Sequence, residues 1–162
     1  MTKINVVNNS LNELPSYANE GDAGMDLRAD FSKGIPEKFF SFADWDNIRE
    51  VVLIFPGGRA LIPTNLHTAI PEGFEVQIRP RSGLALKQGV TVLNTPGTID
   101  TGFRASWGVI LINLGEEIFE VAQGDRIAQA VLNKFEKIEW NPVQDLNESE
   151  RGMTGFGDSG IK

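Results

Sequence analysis

The chain has 162 residues, of which 41% are hydrophobic and 23% charged, and its formal net charge is −7. This length suits one domain and this hydrophobic content allows a core, which excludes a chain that is disordered throughout. The acidic balance argues against sequence-independent nucleic-acid binding, which requires a basic face, and the absence of cysteine excludes disulfides and thiolate chemistry.

No apolar run approaches the roughly 20 residues that span a bilayer, and residues 1–17 lack an apolar block long enough for a signal peptide. We therefore expect a cytoplasmic protein that binds neither membrane nor nucleic acid. The single histidine, His67, lies in an apolar stretch that predicts a strand. We expect it to be a hydrogen-bonded strand residue rather than a ligand, and the counts exclude zinc sites built from several histidines or cysteines.

The segment 36–52 differs from the rest of the chain in its periodicity. Its apolar and aromatic side chains recur near helical spacing, at Phe39, Phe42, Trp45 and Ile48. This spacing predicts a short helix or a structured insertion at the edge of the fold.

The remaining apolar runs are short and follow a period of two, which is typical of half-buried strands. In "FEVQIR", residues 74–79, three apolar residues alternate with three polar ones. Further runs lie at 60–70, 107–114, 117–121 and 127–135. Many short strands separated by glycine and proline turns predict an all-β sandwich, jelly roll or barrel. The polar, acidic residues 141–150 predict a mobile linker that leads into a glycine-rich C-terminal arm.

Five stretches combine turn glycines with charged or hydroxyl side chains. They are "DAGMDLRAD" (22–30), "PRSGLALKQGV" (80–90), "NTPGTIDTGF" (94–103), "GDRIAQ" (124–129) and "RGMTGFGDSGIK" (151–162). In the second, Arg81, Ser82 and Gly83 offer a forked cation, a hydroxyl and an accessible backbone, which suits phosphate oxygens. Because no Walker or dinucleotide-binding signature is present, we expect a phosphate site built from β-loops and not from a helix N-terminus. Taken alone, the triplet also fits an ordinary turn.

The third stretch predicts a β-hairpin arm. Pro96-Gly97 fits a type II turn, which would give Gly97 a positive φ. Asp100 lies beyond the tip of this turn. Its carboxylate suits either of two roles, capping backbone N–H groups or acting as a general base that activates water.

Taken together and in this order, the five stretches resemble the five motifs of the trimeric dUTPase family, the deoxyuridine triphosphate nucleotidohydrolases. The resemblance runs from about Ala23 to Gly160. It implies a β jelly roll and a homotrimer with shared active sites, in which dUTP is hydrolysed to dUMP and pyrophosphate with Mg²⁺ on the triphosphate. It further implies that residues 1–140 form the catalytic domain. Residues 141–162 would form a linker and an arm that closes a neighbouring subunit's active site.

The resemblance also implies roles for the nucleoside-binding residues. Asp100 would deprotonate the water that attacks the α-phosphorus. The segment containing Asn94, Gly97 and Ile99 would hold uracil through main-chain groups and the Asn94 amide. Phe103 would lie under the deoxyribose and leave no space for a 2′-hydroxyl.

The phosphate contacts implied by the resemblance come from the other motifs. Ser82 and Gly83, with Arg81 beside them, would bind phosphate oxygens, and Gln129 would reach the α-phosphate. Asp26 would support the site near the water shell of the metal without ligating it directly. In the arm, Arg151 would meet the γ-phosphate and Phe156 would stack on uracil, while the backbone around Gly157 and Ser159 would wrap the phosphates.

Several residues depart from the pattern of the family. Phe103 stands where tyrosine is usual, so the ring remains but the hydrogen bond of the hydroxyl is lost. Ala105 and Thr154 stand where glycine is usual, and Asp158 adds a negative charge where the triphosphate should bind. Residues 33–50 resemble an insertion relative to a minimal member of the family.

Two alternative functions remain open at this point. A dCTP deaminase shares the "PRS" and "DxGF" patterns, but it uses a glutamate in the strand after the third motif, and residues 110–113 carry no acidic side chain. A dUTP-binding regulatory protein with little catalysis is the second alternative, suggested by the insertion and the altered arm.

Overall fold

The structure, a computed structural model, describes residues 1–34, 51–150 and Gly152. Within these ranges the chain forms β-strands and one short helix. In chain order they are β1 (Asn5–Asn8), β2 (Gly24–Arg28), β3 (Val51–Ile54), β4 (Arg59–Pro63), β5 (Leu66–Ala69), β6 (Phe74–Arg79), α1 (Ser82–Gln88), β7 (Val90–Val92), β8 (Gly97–Ile99), β9 (Gly108–Asn113), β10 (Phe119–Ala122) and β11 (Arg126–Lys134).

The described strands pair antiparallel in four small sheets. Their orders are β1-β5, β10-β3, β2-β11-β6-β8 and β4-β9-β7. The predicted all-β class is therefore confirmed. No helix in the described ranges is long and apolar enough to cross a membrane.

The core lies between the sheets because each strand turns alternate side chains inward. On β6, Val76 and Ile78 are buried, while Arg79 is exposed, as the alternation predicts. Inward residues of the other sheets, including Ile62 and Leu111, belong to the same hydrophobic cluster. Burial of each such side chain contributes about 1.5–3 kcal/mol.

The structure divides one predicted strand in two and leaves one predicted helix or insertion outside the described ranges. The run 60–70 is not one strand, since β4 ends at Pro63 and β5 begins at Leu66. Asn65 turns the chain between them with a left-handed φ of 54°, which asparagine tolerates better than most residues. The predicted helix or insertion at 36–52 lies outside the described ranges, apart from its last two residues, which begin β3.

The turn between β4 and β5, the β4–β5 corner, is held by a buried carboxylate, Asp30. It is 0% exposed and accepts hydrogen bonds from the Leu11 N–H at 2.8 Å, Asn65 Nδ2 at 2.7 Å and Gln123 Nε2 at 2.9 Å, as well as from Ser32. Burial raises the pKa of Asp30, but these hydrogen bonds outweigh it and lower the pKa from 3.8 to about 2. One ionised side chain thus joins the N-terminal segment, the β4–β5 corner and the turn before β11.

Residues 135–150 form neither strand nor helix, and all of them are exposed. Among them are the large apolar side chains of Ile138, Trp140, Val143 and Leu146. This segment therefore lies outside the core of the chain.

Candidate functional site

The first, second and fourth stretches converge at one end of the four-stranded sheet. In the pairing register, Asp26 on β2 lies opposite Gln129 on β11, and Gln129 lies opposite Arg79 on β6. Arg81 follows two residues later, immediately before α1. Antiparallel register thus brings together side chains that are far apart in the sequence.

Asp26 joins two arginines at this end. Arg81 donates from Nε to Asp26 Oδ1 at 2.8 Å and from Nη2 to Oδ2 at 3.3 Å, a forked arrangement. Arg126 Nη1 donates to the same Oδ2 at 3.2 Å. Two guanidinium groups therefore share one carboxylate, which leaves a surplus positive charge. We refer to Asp26, Arg81, Arg126 and Gln129 as the Asp26 cluster.

Gln129 is held in place by its backbone neighbours. Its Nε2 donates to the Pro80 carbonyl oxygen at 2.9 Å. A Cβ on Gly24 would lie 2.7 Å from Gln129 Oε1, so the glycine allows this orientation of the amide. Beside these residues is a groove of about 620 Å³, lined by Gly24, Asp26, Arg79 and Gln129 among others. Its volume lies in the range of small-molecule sites.

The expectation that the second stretch is built from β-loops alone was wrong, because Ser82–Gln88 forms α1. Leu, Ala, Lys and Gln favour helix, and Gly89 ends it with a φ of 67° and an N–H bond to the Leu84 carbonyl oxygen. Ser82 and Gly83 are exposed in its first turn, next to Arg81. Their N–H groups have no acceptor within the helix.

The third stretch is not a β-hairpin, because β7 pairs with β9 while β8 pairs with β6. Gly97 is not among the described glycines with positive φ, so the predicted type II turn was also wrong; the Thr95–Pro96 bond is cis. Close packing accounts for the glycine instead, since a Cβ on Gly97 would lie 3.2 Å from Asn94 Nδ2.

The side chains of the third stretch differ in exposure. Asn94 and Asp100 are exposed, and Phe103 is 38% exposed. Ile99 is buried in the core, so only its main chain can meet a ligand. Within the described ranges, no hydrogen bond or ion pair reaches the Asp100 carboxylate, and no N–H group is capped by it. The capping role, one of the two predicted for Asp100, is therefore not seen in the described ranges.

Asp100 does not join the Asp26 cluster within one chain. Ile99 pairs with Val76 on one side of β6, whereas Gln129 pairs with Arg79 on the other. Asp100 follows Ile99 and is therefore level with Glu75, so its offset from Gln129 is two strand spacings, roughly 10 Å, and four residues along β6, roughly 13 Å. The direct separation of Asp100 and Gln129 is therefore roughly 16 Å at the backbone.

Comparisons with known proteins decide the family. The profile of the dUTPase family matches residues 47–160. The chain belongs to the dUTPase family. A deoxyuridine 5′-triphosphate nucleotidohydrolase of Fusobacterium nucleatum is 44% identical over 158 residues, covering 98% of this chain and 97% of the relative. One of Caulobacter vibrioides is 45% identical over 148 residues, covering 91% of this chain and 86% of the relative.

Solved dUTPase structures share the fold. The dUTPase of Staphylococcus bacteriophage 80alpha with dUPNHPP superposes with a TM-score of 0.76 at 24% identity, covering 99% of this chain and 100% of that chain. The dUTPase of phage phi11 of S. aureus superposes with a TM-score of 0.70 at 20% identity, covering 91% of this chain and 100% of that chain. The expected jelly roll of the dUTPase family is thereby confirmed.

Two residues of the candidate site were not assigned from the sequence. Arg126 lies within "GDRIAQ", but only its pairing with Asp26 shows that it belongs to the cluster. Gly24 lies within "DAGMDLRAD", and the required close approach of Gln129 becomes visible only in the register of β2 and β11.

The predicted contacts of the dUTPase arm lie outside the described ranges. These residues are Arg151, Phe156, Gly157 and Ser159, together with the departures Thr154 and Asp158. Of the fifth stretch, only Gly152 is described, with a φ of 56° and an N–H bond to the Ser149 carbonyl oxygen at 3.0 Å.

Proposed function

We propose that this member of the dUTPase family hydrolyses dUTP to dUMP and pyrophosphate, using water that Asp100 activates for attack on the α-phosphorus. The observation that carries the proposal is the convergence of three separate motifs on the Asp26 cluster. Phosphoryl transfer demands positioning and charge neutralisation more than covalent participation, and this cluster supplies both.

The phosphate contacts follow from the cluster. Arg81 and Arg126 bring two positive charges against the one negative charge of Asp26. Gln129 uses one N–H on the Pro80 carbonyl oxygen and retains a second for the α-phosphate. Ser82 and Gly83 add a hydroxyl and N–H donors beside Arg81.

The nucleoside contacts come from the third motif. The exposed Asn94 amide and the main chain at Gly97 and Ile99 would hold the uracil edge. The Phe103 ring would lie against the deoxyribose and exclude a 2′-hydroxyl by its volume. Asp100, with no described hydrogen bond on its carboxylate, is available to accept the proton of the attacking water.

Magnesium would accompany the triphosphate. Both carboxylate oxygens of Asp26 are engaged by guanidinium groups. In the described ranges no three His, Cys, Asp or Glu side chains form a metal-ligating group. This donor set fits an ion held mainly by phosphate oxygens and water, with Asp26 near its water shell. Once bound, the ion neutralises negative charge on the phosphates. A solved phage phi11 dUTPase structure describes a structural Mg(II) ion, at 21% identity and a TM-score of 0.69.

We infer a homotrimer with shared active sites from the position of Asp100. A general base must lie within hydrogen-bond reach of the attacking water, about 3 Å. Asp100 and Gln129 of one chain are roughly 16 Å apart at the backbone, too far to serve the same α-phosphate. The Asp26 cluster of one subunit would therefore work with Asp100 of another. The exposed apolar side chains of 135–150 also favour an assembly that covers them.

The proposal includes a division of the chain into two parts. Residues 1–140 would form the catalytic domain. Residues 141–162 would form the linker and the arm that carries Arg151, Phe156, Gly157 and Ser159 over a neighbouring subunit's site.

One experiment separates the candidate activities. Pyrophosphate and ammonia release are measured from dUTP and dCTP, with and without Mg²⁺. We expect pyrophosphate from dUTP with Mg²⁺ and no ammonia from dCTP. Ammonia release would indicate a deaminase, and tight dUTP binding without pyrophosphate release would indicate a regulatory binder.

Shared sites have their own test. Asp100→Asn and Gln129→Ala chains, each inactive alone, are mixed, unfolded and refolded together. Mixed trimers would contain some sites with an intact Asp100 from one chain and an intact Gln129 from another, so part of the activity should return. No recovery in trimers shown to be mixed would contradict shared sites.

A further inference from the structure

One contact outside the proposed nucleotide contacts anchors the segment that follows Asp100. His67 Nδ1 lies 3.0 Å from the carbonyl oxygen of Arg104. Because a carbonyl oxygen can only accept, Nδ1 carries the proton and donates. His67 stands on β5 and Arg104 lies in the loop between β8 and β9, so the bond joins this loop to a strand of a different sheet. We refer to residues 100–107 as the Asp100 loop.

Arg104 is also the residue that folds this loop. Its Nη1 donates to the Thr101 carbonyl oxygen at 2.6 Å and to the Phe103 carbonyl oxygen at 2.9 Å. The Phe103 N–H donates to the Asp100 carbonyl oxygen at 3.1 Å. The backbone from Asp100 to Arg104 is therefore a compact unit joined by its own hydrogen bonds.

Hydrogen bonds hold the Asp100 loop to the rest of the fold at both of its ends. At its start, Thr101 Oγ1 donates to the Phe74 carbonyl oxygen at 3.1 Å. At its end, the Trp107 N–H donates to the Leu66 carbonyl oxygen at 2.9 Å, and the Thr64 N–H and Oγ1 donate to the Trp107 carbonyl oxygen at 3.0 Å and 2.9 Å. Between these two ends, His67 supplies the one side-chain hydrogen bond from another element in the described ranges. Its acceptor is the residue directly after Phe103.

We propose that His67 is a positioning residue that fixes the Phe103 ring and the Asp100 carboxylate relative to the nucleotide. The inference rests on the proposed dUTP hydrolysis. Loss of the bond would let the peptide at Arg104 rotate and carry the adjacent ring with it. A displacement of about 1 Å in a catalytic arrangement can reduce the rate by about 100-fold. A net hydrogen bond is worth about 1 kcal/mol, which converts to about a five-fold change.

The test compares three variants of the same position. His67→Ala removes the donor, His67→Asn keeps an N–H donor at the δ position, and His67→Gln moves it to the ε position. We expect His67→Ala and His67→Gln to lower kcat/KM for dUTP by at least about five-fold, with His67→Asn close to wild type. The ratio of UTP to dUTP turnover should rise in the two impaired variants, because the ring that excludes the 2′-hydroxyl is no longer fixed.

Asn8→Ala is a matched control. It removes two side-chain bonds at the end of β1, from Asn8 Nδ2 to the Asn12 carbonyl oxygen at 2.9 Å and from the Ser10 N–H to Asn8 Oδ1 at 3.0 Å, and neither reaches the Asp100 loop. Its kinetics and UTP to dUTP ratio should equal those of wild type. If His67→Ala does not fold, the comparison of His67→Gln with His67→Asn still tests whether an N–H donor at the δ position is required.

Three results would overturn the inference. Equal impairment of the Asn and Gln variants would show that the hydrogen bond is not responsible. A lower Tm with unchanged kinetics and an unchanged UTP to dUTP ratio would show a purely structural role. If wild type releases no pyrophosphate from dUTP, the proposed function fails and the inference fails with it, a result that is visible before any variant is measured.

Discussion

Replacing Asp30 by asparagine should destabilise the fold in a pH-dependent way. The carboxylate accepts from Leu11, Ser32, Asn65 and Gln123, so its site presents only donors. An asparagine brings its own NH₂ donors against some of them. Because each unsatisfied buried donor costs about 1–3 kcal/mol, we expect a loss of about 2–4 kcal/mol in unfolding free energy at pH 7.

The pH dependence gives this prediction its sign. Burial raises the pKa of Asp30, yet the hydrogen bonds lower it overall from 3.8 to about 2 in the folded state. When a carboxyl group has a lower pKa in the folded state than in the unfolded state, its ionisation adds to the free energy of unfolding. This contribution is complete at pH values above the pKa of the unfolded state, and it is lost as the pH falls through the pKa of the folded state. The shift corresponds to about 2 kcal/mol, of which about half is lost at pH 3. Asparagine does not titrate, so the gap between wild type and variant should be constant from pH 7 to 6 and smaller by about 1 kcal/mol at pH 3.

Urea denaturation at pH 7, 6 and 3, at matched protein concentration, measures this gap. Asp145→Asn is the control, because Asp145 is an exposed carboxylate in 135–150, and we expect a change below about 0.5 kcal/mol. Equal stability of wild type and Asp30→Asn at pH 7, or a gap that stays the same at pH 3, would refute the reasoning.

Three further predictions concern activity. Asp100→Asn should lower kcat by at least about 100-fold while thermal unfolding stays unchanged, and near-full activity would remove Asp100 as the base. Gly24→Ala should lower kcat/KM for dUTP by about ten-fold, because its Cβ would lie only 2.7 Å from Gln129 Oε1 and would force the amide to move. Gly21→Ala is the control, because its Cβ would meet nothing within 4 Å, and it should behave as wild type. Ending the chain at Glu150 should leave a folded assembly with little dUTP turnover, and an unchanged kcat/KM would refute the closing role of the arm.

The sequence predicted those strands whose formation depends on the pattern of neighbouring residues alone. The alternation of 74–79 gave β6 with its correct bounds, because strand periodicity needs no long-range information. The β4–β5 corner was missed because the partner of Asn65 is Asp30, 35 residues earlier. The helix α1 was missed because it has seven residues and none of them is buried, so no amphipathic pattern marks it.

The candidate site shows the same division. Asp26, Arg81 and Gln129 were assigned because each lies within a recognisable motif. Their mutual geometry depends on which strands are neighbours and in which register, and one-dimensional patterns do not contain this information. The prediction of a hairpin at 94–103 was wrong for this reason. The strand before it, β7, pairs with β9, whereas the strand within it, β8, pairs with β6 in another sheet.

Under the proposed function, the Asp26 cluster would account for triphosphate binding by a chain with a net charge of −7. A ligand in a cleft responds to the local field, and at this site two guanidinium groups face one carboxylate. Asp26 removes one positive charge but restricts two long side chains, each of which carries about 2 kcal/mol of rotamer entropy. The arginines are therefore oriented before the nucleotide arrives, and less of its binding energy is spent on ordering them. In the proposed phosphate site, the Asp26 carboxylate would thus act as a positioning group for the cations, and Arg126 would be as much a part of the site as Arg81.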